Sequence, residues 1–301
     1  MRLAILADIH GNLPALEAVL ADARAQGVDG YVIAGDLVLG APFPVETLDR
    51  LRDLDAWIIQ GNGETYLTHF DAGAAPETWR TRAQWALLRW SYARLDRDAL
   101  EYLATLPNRV TVTLPGATPI CVVHGSPRAL SEGIIPDDPE TKRKFAQARL
   151  TNTIGVEDAL AQIGLPISVA EPVLVCGHTH IAWEHRNNGR LALNPGAIGG
   201  PIDGVVGAEY ALLTWERGRW TADLRVVEYD VNALLAAYRD SGMLAECGAM
   251  ARALMRNAET GQNYAWYLVL HAFDLAAQAG IAHDGVVPDE IWEHAAATLA
   301  W

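Results

Sequence analysis

Apolar runs of strand length, each closed by a side chain able to bind metal, constrain this chain more than any other feature. Five of them read LAILAD, GYVIAGD, AWIIQGN, PICVVHG and PVLVCGHTH. Their length and their Val, Ile and Leu content predict buried strands. They deliver Asp8/His10, Asp36, Asn62, His124 and His178/His180. Ligands in open α/β sheets collect outside the carboxyl ends of strands, so these five ends are expected to converge on one crevice and supply ligands for two metal ions.

The text between the runs fits that frame. Asn12 reads as a helix N-cap, LPALEAVLADARAQG carries apolar residues at helical spacing, and Gly27 ends it. VETLDRLRDL is a second helix, which gives a βαβαβ pattern and a parallel sheet over the first third of the chain. From about 64 to 106 the text turns helical, with Trp79, Trp85, Trp90 and Tyr92 in a stretch free of Gly and Pro. At near-helical spacing such aromatics are more often core than the lining of a substrate slot. A second excursion, about 126 to 163, is broken by proline first and helical after. RLALNPG, EYALLTW and ADLRVVEYD follow as strands expected to be antiparallel, with Glu216-Arg217-Gly218 as one of their turns. Beyond about Asp230 only Ala/Leu-rich helical text remains, which divides the chain into a domain of 1–230 and a helical region of 231–301. That region is expected to pack on the main body or on a second copy as a homo-oligomer, with His271, His283 and His294 serving structure.

Composition excludes several classes of function. A chain of 301 residues, half of them hydrophobic, can bury a large core. A net charge of −14 leaves no general electrostatic footprint for nucleic acid. The lysines, Lys142 and Lys144, sit with Arg143 in one short run that reads as a solvated helix face. Cys121, Cys176 and Cys247 are odd in number, and two lie in predicted buried strands, so free thiols in a reducing compartment are expected. No run is long enough to span a bilayer, and MRLAILADIHG lacks the make-up of a signal peptide; the expectation is a cytoplasmic protein without a membrane partner.

Each cluster has a plainer reading when taken alone. Asp8-x-His10 presents two ligands on one side of an extended segment, yet an isolated pair of this kind is usually a turn acid and a packed histidine. Asp36 has two carboxylate oxygens and can bridge two cations. Asn62 would offer a neutral carbonyl oxygen, but Asn-Gly is also the strongest two-residue hairpin signal. His124 opens HGSPR, where Arg128 reads either as a phosphate contact or as a salt-bridged surface residue. His178-Thr179-His180 is the most specific cluster, because two imidazoles at a strand end are costly to explain as packing. The ordered series at successive strand ends outweighs the plain readings together.

LADIHGN, AGDLV, GNGE, VVHGSPR and CGHTH, followed by LNPGAIGGP, resemble the calcineurin-like metallophosphoesterase superfamily, and within it the small bacterial phosphodiesterase branch. The resemblance covers residues 1 to about 230. It implies a four-layer α/β sandwich (αββα) with two mixed sheets, to which this chain adds a C-terminal helical appendage. It implies one metal on Asp8, His10 and His180, a second on Asn62, His124 and His178, and Asp36 bridging both, with Asn194 supporting the loop beneath. Nitrogen and oxygen ligands without thiolate suit two divalent ions, manganese first among Mn, Fe, Zn, Ni and Co.

In such a site the metals lower the pKa of a bridging water, which attacks phosphorus in line as hydroxide, with Asp36, Asn62 and His178 acting through the metals and the helix after Asn12 adding backbone donors. The substrate is then a small phosphate ester or nucleotide. This chain departs from the family motif at Gly63, where histidine normally touches the phosphate and can protonate the leaving oxygen. Without that acid, phosphodiesters and activated esters are expected to be favoured over alkyl monoesters, unless His69, His185 or water replaces it. Glu64 reads as a favourable acid at a helix start. The competing functions are a phosphate- or nucleotide-binding regulator with little turnover, and a protein phosphatase or dinucleotide polyphosphate hydrolase built on the same centre.

Overall fold

Residues 1–162 and 171–301 are described by the computed structural model. The first unit is β1 (Arg2–Leu6), α1 (Leu13–Ala25), β2 (Gly30–Ile33), α2 (Pro44–Arg52) and β3 (Ala56–Ile58). Four helices follow, α3 (Asn62–Asp71), α4 (Glu77–Thr81), α5 (Ala86–Tyr92) and α6 (Arg97–Thr105). Next come β4 (Arg109–Val112), β5 (Ile120–Val123), β6 (Gly133–Ile135), α7 (Pro139–Gln147), β7 (Thr153–Gly155), α8 (Val156–Leu160) and β8 (Val173–Val175). The strands end with β9 (Trp183–Asn187), β10 (Arg190–Asn194), β11 (Ala208–Glu216) and β12 (Arg219–Val227). Helices α9 (Val231–Asp240), α10 (Met243–Thr260), α11 (Tyr264–Gln278) and α12 (Asp289–Thr298) complete the chain.

Alternation along the strands sets the layers, since successive side chains face opposite sides of a sheet. Leu3, Ile5 and Ala7 face inward to meet Ile120, Val122, Val173 and Val175 in a core between two sheets. Ala4, Leu6 and Ile33 face outward onto Leu16, Leu20, Leu48, Leu67 and Leu103 of the first helical layer. On the other sheet, Cys121, Val123, Leu174 and Cys176 face Phe145, Ala159 and Leu160 of α7 and α8. The result is the helix–sheet–sheet–helix sandwich. Both sheets are mixed and five-stranded, in the orders β12-β11-β1-β2-β3 and β4-β5-β8-β10-β9.

Strands β1, β2 and β3 are parallel, as are β5, β8 and β10. β11 and β12 form the expected antiparallel hairpin, closed by Arg217 and Gly218 at φ 52° and 76°. RLALN departs from expectation, because β10 runs parallel to β8 and is antiparallel only to β9, a strand not foreseen. The excursion after Asn62 is four helices, interrupted at Gly73 and Pro76. The later excursion holds β6 and β7, a small parallel pair, besides its helices; its expected end at Ile163 lies outside the described residues.

Trp79 and Trp85 stack at 4.2 Å in the helical layer, and Trp90 is buried against Leu234, Tyr238 and Met243. Trp90 is therefore core, and Trp79, Trp85 and Tyr92 pack, partly buried, against the core of the first helical layer; none of the four lines the crevice. Burying a large apolar side chain stabilises by about 1.5–3 kcal/mol, so Trp90 is a principal anchor of α9 and α10 on α5. His271 Nε2 meets Thr298 Oγ1 at 2.8 Å and His283 stacks on Phe273, both within the helical packing. Among the described residues no helix is long and apolar enough to cross a membrane.

Candidate metal centre

The strand ends turn sharply into the crevice. Asp8, His10, Asp36, His178 and His180 all adopt left-handed backbone, with φ between 51° and 68°. Such a conformation costs a non-glycine residue about 1–3 kcal/mol and persists only where its surroundings over-determine it. Here the backbones lace together. His10 N–H donates to Asp36 O at 2.9 Å, Gly11 N–H to Leu37 O at 2.9 Å, and Gly199 N–H to Asp8 O at 2.7 Å. His178 N–H donates to Asp8 Oδ2 at 2.9 Å, which joins the two sheets at the site. Packing is close enough that a Cβ on Gly177 would lie 2.8 Å from Asp8 Oδ2.

Three imidazoles are held in one tautomer. Nδ1–H of His10 donates to Leu39 O at 2.6 Å, that of His124 to Ala34 O at 2.7 Å, and that of His180 to Gly200 O at 2.8 Å. Each ring therefore presents Nε2 to the crevice, the arrangement that orients metal-binding histidines. His10 Nε2 and His180 Nε2 face each other at 2.9 Å. Two unprotonated nitrogens at that distance repel, so a proton or a cation has to lie between them. Asp36 Oδ2 is 3.6 Å from His10 Nε2 and 3.4 Å from His124 Nε2, a position shared between two groups. Asp8 Oδ1 is 3.5 Å from His180 Nε2.

The ligand atoms of Asp8, His10 and His180 lie within 4.8 Å of one another, and so do those of Asp8, Asp36 and His124. Asn62 Oδ1 is 3.2 Å from His124 Nε2, and the His178 ring lies 5.3 Å from that of His124. All seven sequence-predicted ligands are thus gathered. Their donors are nitrogen and oxygen, which fit divalent cations of intermediate hardness. The buried Cys176 thiol turns away, toward Leu193 O.

Electrostatics follow from burial and mutual contact. Burial opposes charge on Asp8, but His180 and His124 beside it hold its carboxyl below the ordinary value. Asp36 is likewise lowered, burial being outweighed by His124 and His10. Burial also opposes charge on His124, yet Asp36 and Asp8 raise it to about 10. His178 has the opposite balance, and burial brings it down to about 4.

Two buried residues support the site, and one of them exceeds what sequence offers. Glu64 is fully buried and accepts N–H groups from Asp36 at 3.0 Å, Leu37 at 2.8 Å and Gly61 at 2.8 Å, so it fixes the Asp36 turn as well as the start of α3. Burial and the Asp36 charge push it up to about 7. Asn194 meets its expected role, donating to Gly177 O at 2.7 Å and Thr179 Oγ1 at 3.1 Å while accepting from Gly196 N–H at 2.9 Å. Asn62 opens α3 and is not a hairpin turn.

Other expectations are corrected. Arg128 forms an ion pair with Glu132, Nε lying 2.9 Å from Oε2, and does not line the crevice. His185 pairs with Glu157, and neither it nor His69 lines the crevice. Helix α1 has little to give a phosphate: Pro14 lacks an N–H, while Ala15 and Leu16 N–H groups bond to Asn12. Gly63 N–H donates to Asp36 Oδ1 at 2.7 Å, a backbone bond that fixes Asp36 and supplies nothing in place of the missing imidazole.

Comparison with known proteins agrees with this geometry. Residues 1–218 match the family profile described as a calcineurin-like phosphoesterase superfamily domain. Over 252 residues the chain is 23% identical to the uncharacterized protein MJ0912 of Methanocaldococcus jannaschii, covering 76% of this chain and 88% of that one. A metallophosphoesterase from Sphaerobacter thermophilus aligns with a TM-score of 0.61 at 27% identity, over 87% of this chain and 100% of its own. The hypothetical protein PH1004 from Pyrococcus horikoshii OT3 has the same fold, with a TM-score of 0.63 at 22% identity over 87% of this chain and 99% of its own.

Proposed function

The chain belongs to the calcineurin-like phosphoesterase superfamily, and on that premise we propose that it is a two-metal phosphoesterase favouring phosphodiesters and activated esters. Asp8, His10 and His180 would hold one divalent cation, Asn62, His124 and His178 a second, and Asp36 would be shared; manganese is our first choice. The observation that carries this reading is the convergence of Nε2 atoms, each fixed by an Nδ1–H bond to a carbonyl, on two buried carboxylates. Cations bound there supply positive charge to phosphoryl oxygens and lower the pKa of water.

The chain's own residues do the positioning. Gly63 N–H occupies Asp36 Oδ1 and leaves Oδ2 toward His10 and His124. The bonds to Leu39, Ala34 and Gly200 keep the rings from turning, a constraint worth about 10- to 100-fold in metal affinity. Among the described residues, no imidazole outside the proposed ligands lines the crevice. The leaving oxygen therefore departs without a side-chain proton, a contribution of about 10²- to 10⁴-fold where an acid exists. Esters with low-pKa leaving groups suffer least from its loss.

Elemental analysis of the purified protein, joined to assays of the Mn-loaded enzyme on aryl diesters, aryl monoesters and alkyl monoesters, tests the reading. Chelation and Asp36→Asn should each abolish turnover. Gly63→His should improve alkyl monoesters selectively, although its Cβ would sit 3.1 Å from Asp36 Oδ1 and the carboxylate must shift slightly. Faster alkyl than aryl turnover in the parent would reject the preference. Tight nucleotide binding without hydrolysis of any ester would make the protein a regulator instead, the reading favoured by the absent acid.

A further inference from the structure

The crevice continues beyond the ligands as one cavity of about 340 Å³. That is within the usual range of small-molecule sites, about 300–1,000 Å³. Its far wall belongs to the C-terminal helices. Met250, Leu254 and Asn257 fall at i, i+4 and i+7 on α10 and so share one face, while Trp266 and Val269 line it from α11. The α10 chain bends at Gly248, with φ 55° and ψ −124°, just before that face begins. Ile202 adds a further apolar side.

The charge of the lining is as informative as its shape. Among the described lining residues there is no Lys or Arg, and the one carboxylate is Asp36. A second phosphate would meet the apolar wall and the neutral side chains of Asn257, Asn263 and Tyr238, with no counter-charge to offset its lost hydration. An apolar substituent loses nothing there and gains by leaving water.

We propose that this chamber receives the organic group of the substrate, and that the group is an alkyl or aryl substituent carrying no further phosphate. The proposal rests on the phosphoesterase reading and adds the class of ester. Met250, Leu254, Trp266 and Val269 are then specificity-determining residues, and polyphosphates are poor substrates.

A series of alkyl p-nitrophenyl phosphodiesters isolates the effect, because the leaving group is constant while the alkyl chain grows from methyl to hexyl. With the full-length Mn-loaded protein, kcat/KM should rise about fourfold per methylene until the chamber fills. A chain of equal length ending in phosphate should fall to the methyl level or below. Leu254→Asp should flatten the dependence on chain length, and Leu254→Ala should weaken it. In the metal-free protein, 1-hexanol should shift the emission of a fluorescence component that Trp266→Phe removes, and methanol at equal concentration should not. A flat series, or a preference for the phosphate-ended chain, would overturn the proposal while leaving the phosphoesterase reading intact. Absence of all ester turnover would instead reject that reading, and the Trp266 signal would still decide the chamber's ligand: no response to 1-hexanol overturns the proposal.

Discussion

Removing the Asn194 side chain should loosen the centre without touching a ligand. Asn194 is fully buried and makes three hydrogen bonds, to Gly177 O, Thr179 Oγ1 and Gly196 N–H. Gly177 and Thr179 alternate with His178 and His180, whose φ values of 68° and 55° have to be held against their preference. Asn194→Ala leaves the Gly196 N–H buried without a partner, at about 1–3 kcal/mol, and leaves Gly177 O with the Thr179 N–H alone. The left-handed pair, which holds roughly 1–3 kcal/mol of strain per residue, is then free to relax away from its position beside the carboxylates. The expected result is a loss of about 3 kcal/mol in chemical denaturation of the metal-free protein, together with a 10- to 100-fold weaker metal affinity, in order of magnitude. Thr179→Val removes one of the three bonds and should cost about 1 kcal/mol or less. Stability within about 0.5 kcal/mol of the parent and full metal content in Asn194→Ala would refute the reasoning, because they would show that the loop holds its shape unaided.

Three further outcomes follow. Glu209 is buried and raised to about 8 by burial and Asp203, so its contribution to stability is full below its ordinary value of 4.5 and is lost as pH rises through 8. Glu209→Gln should therefore be more stable than the parent at pH 9 by a few kcal/mol, on the order of 4, and similar to it at pH 4, and parallel melting curves across that range would contradict it. Cys121 and Cys247 are buried and pushed up to about 12, and Cys176 is raised further by burial, so a thiol reagent should label none in the native protein and all three after unfolding. Because Asp36 and Asp8 raise His124 to about 10, cation binding at neutral pH should displace a proton, visible as a buffer-dependent binding enthalpy; identical enthalpies in two buffers would count against His124 as a ligand.

The fold was legible where local chemistry alone decides it. The Val/Ile runs of β1, β5 and β8 are buried on both faces and cannot be anything but interior strands or short buried helices, and the glycines that follow settle the choice. The strands that escaped are those whose identity comes from pairing. β4 is RVTV with an exposed Thr111, β9 is WEHRN with a largely exposed polar face, and both are edge strands. Edges tolerate polar residues because half their surface meets water, which erases the alternation a reader looks for. Missing β9 also hid the hairpin that Asn188 and Gly189 close at φ 49° and 78°, and so gave β10 the wrong partner.

The site divides along the same line. Candidate ligands attached to strand ends are readable because a strand fixes where its next residues lie, and all seven arrive where the parallel strands of the two mixed sheets deliver them. Glu64 looked like a helix-start acid, and its larger role was invisible because two of its three donors, Asp36 and Leu37, lie 28 and 27 residues away. Arg128, read either as a phosphate contact or as a salt-bridged surface residue, has a local i, i+4 partner in Glu132 and stands outside the crevice lining, which only the packing shows. The chamber wall lay furthest from sequence reasoning. Leu254 and Trp266 are ordinary apolar helix positions until α10 and α11 are seen to stand over the strand ends that carry the candidate ligands. An apolar stripe reports that something covers it. Only the packing shows that on one side the cover is absent and a cavity, open to His10, Asp36 and His180, takes its place.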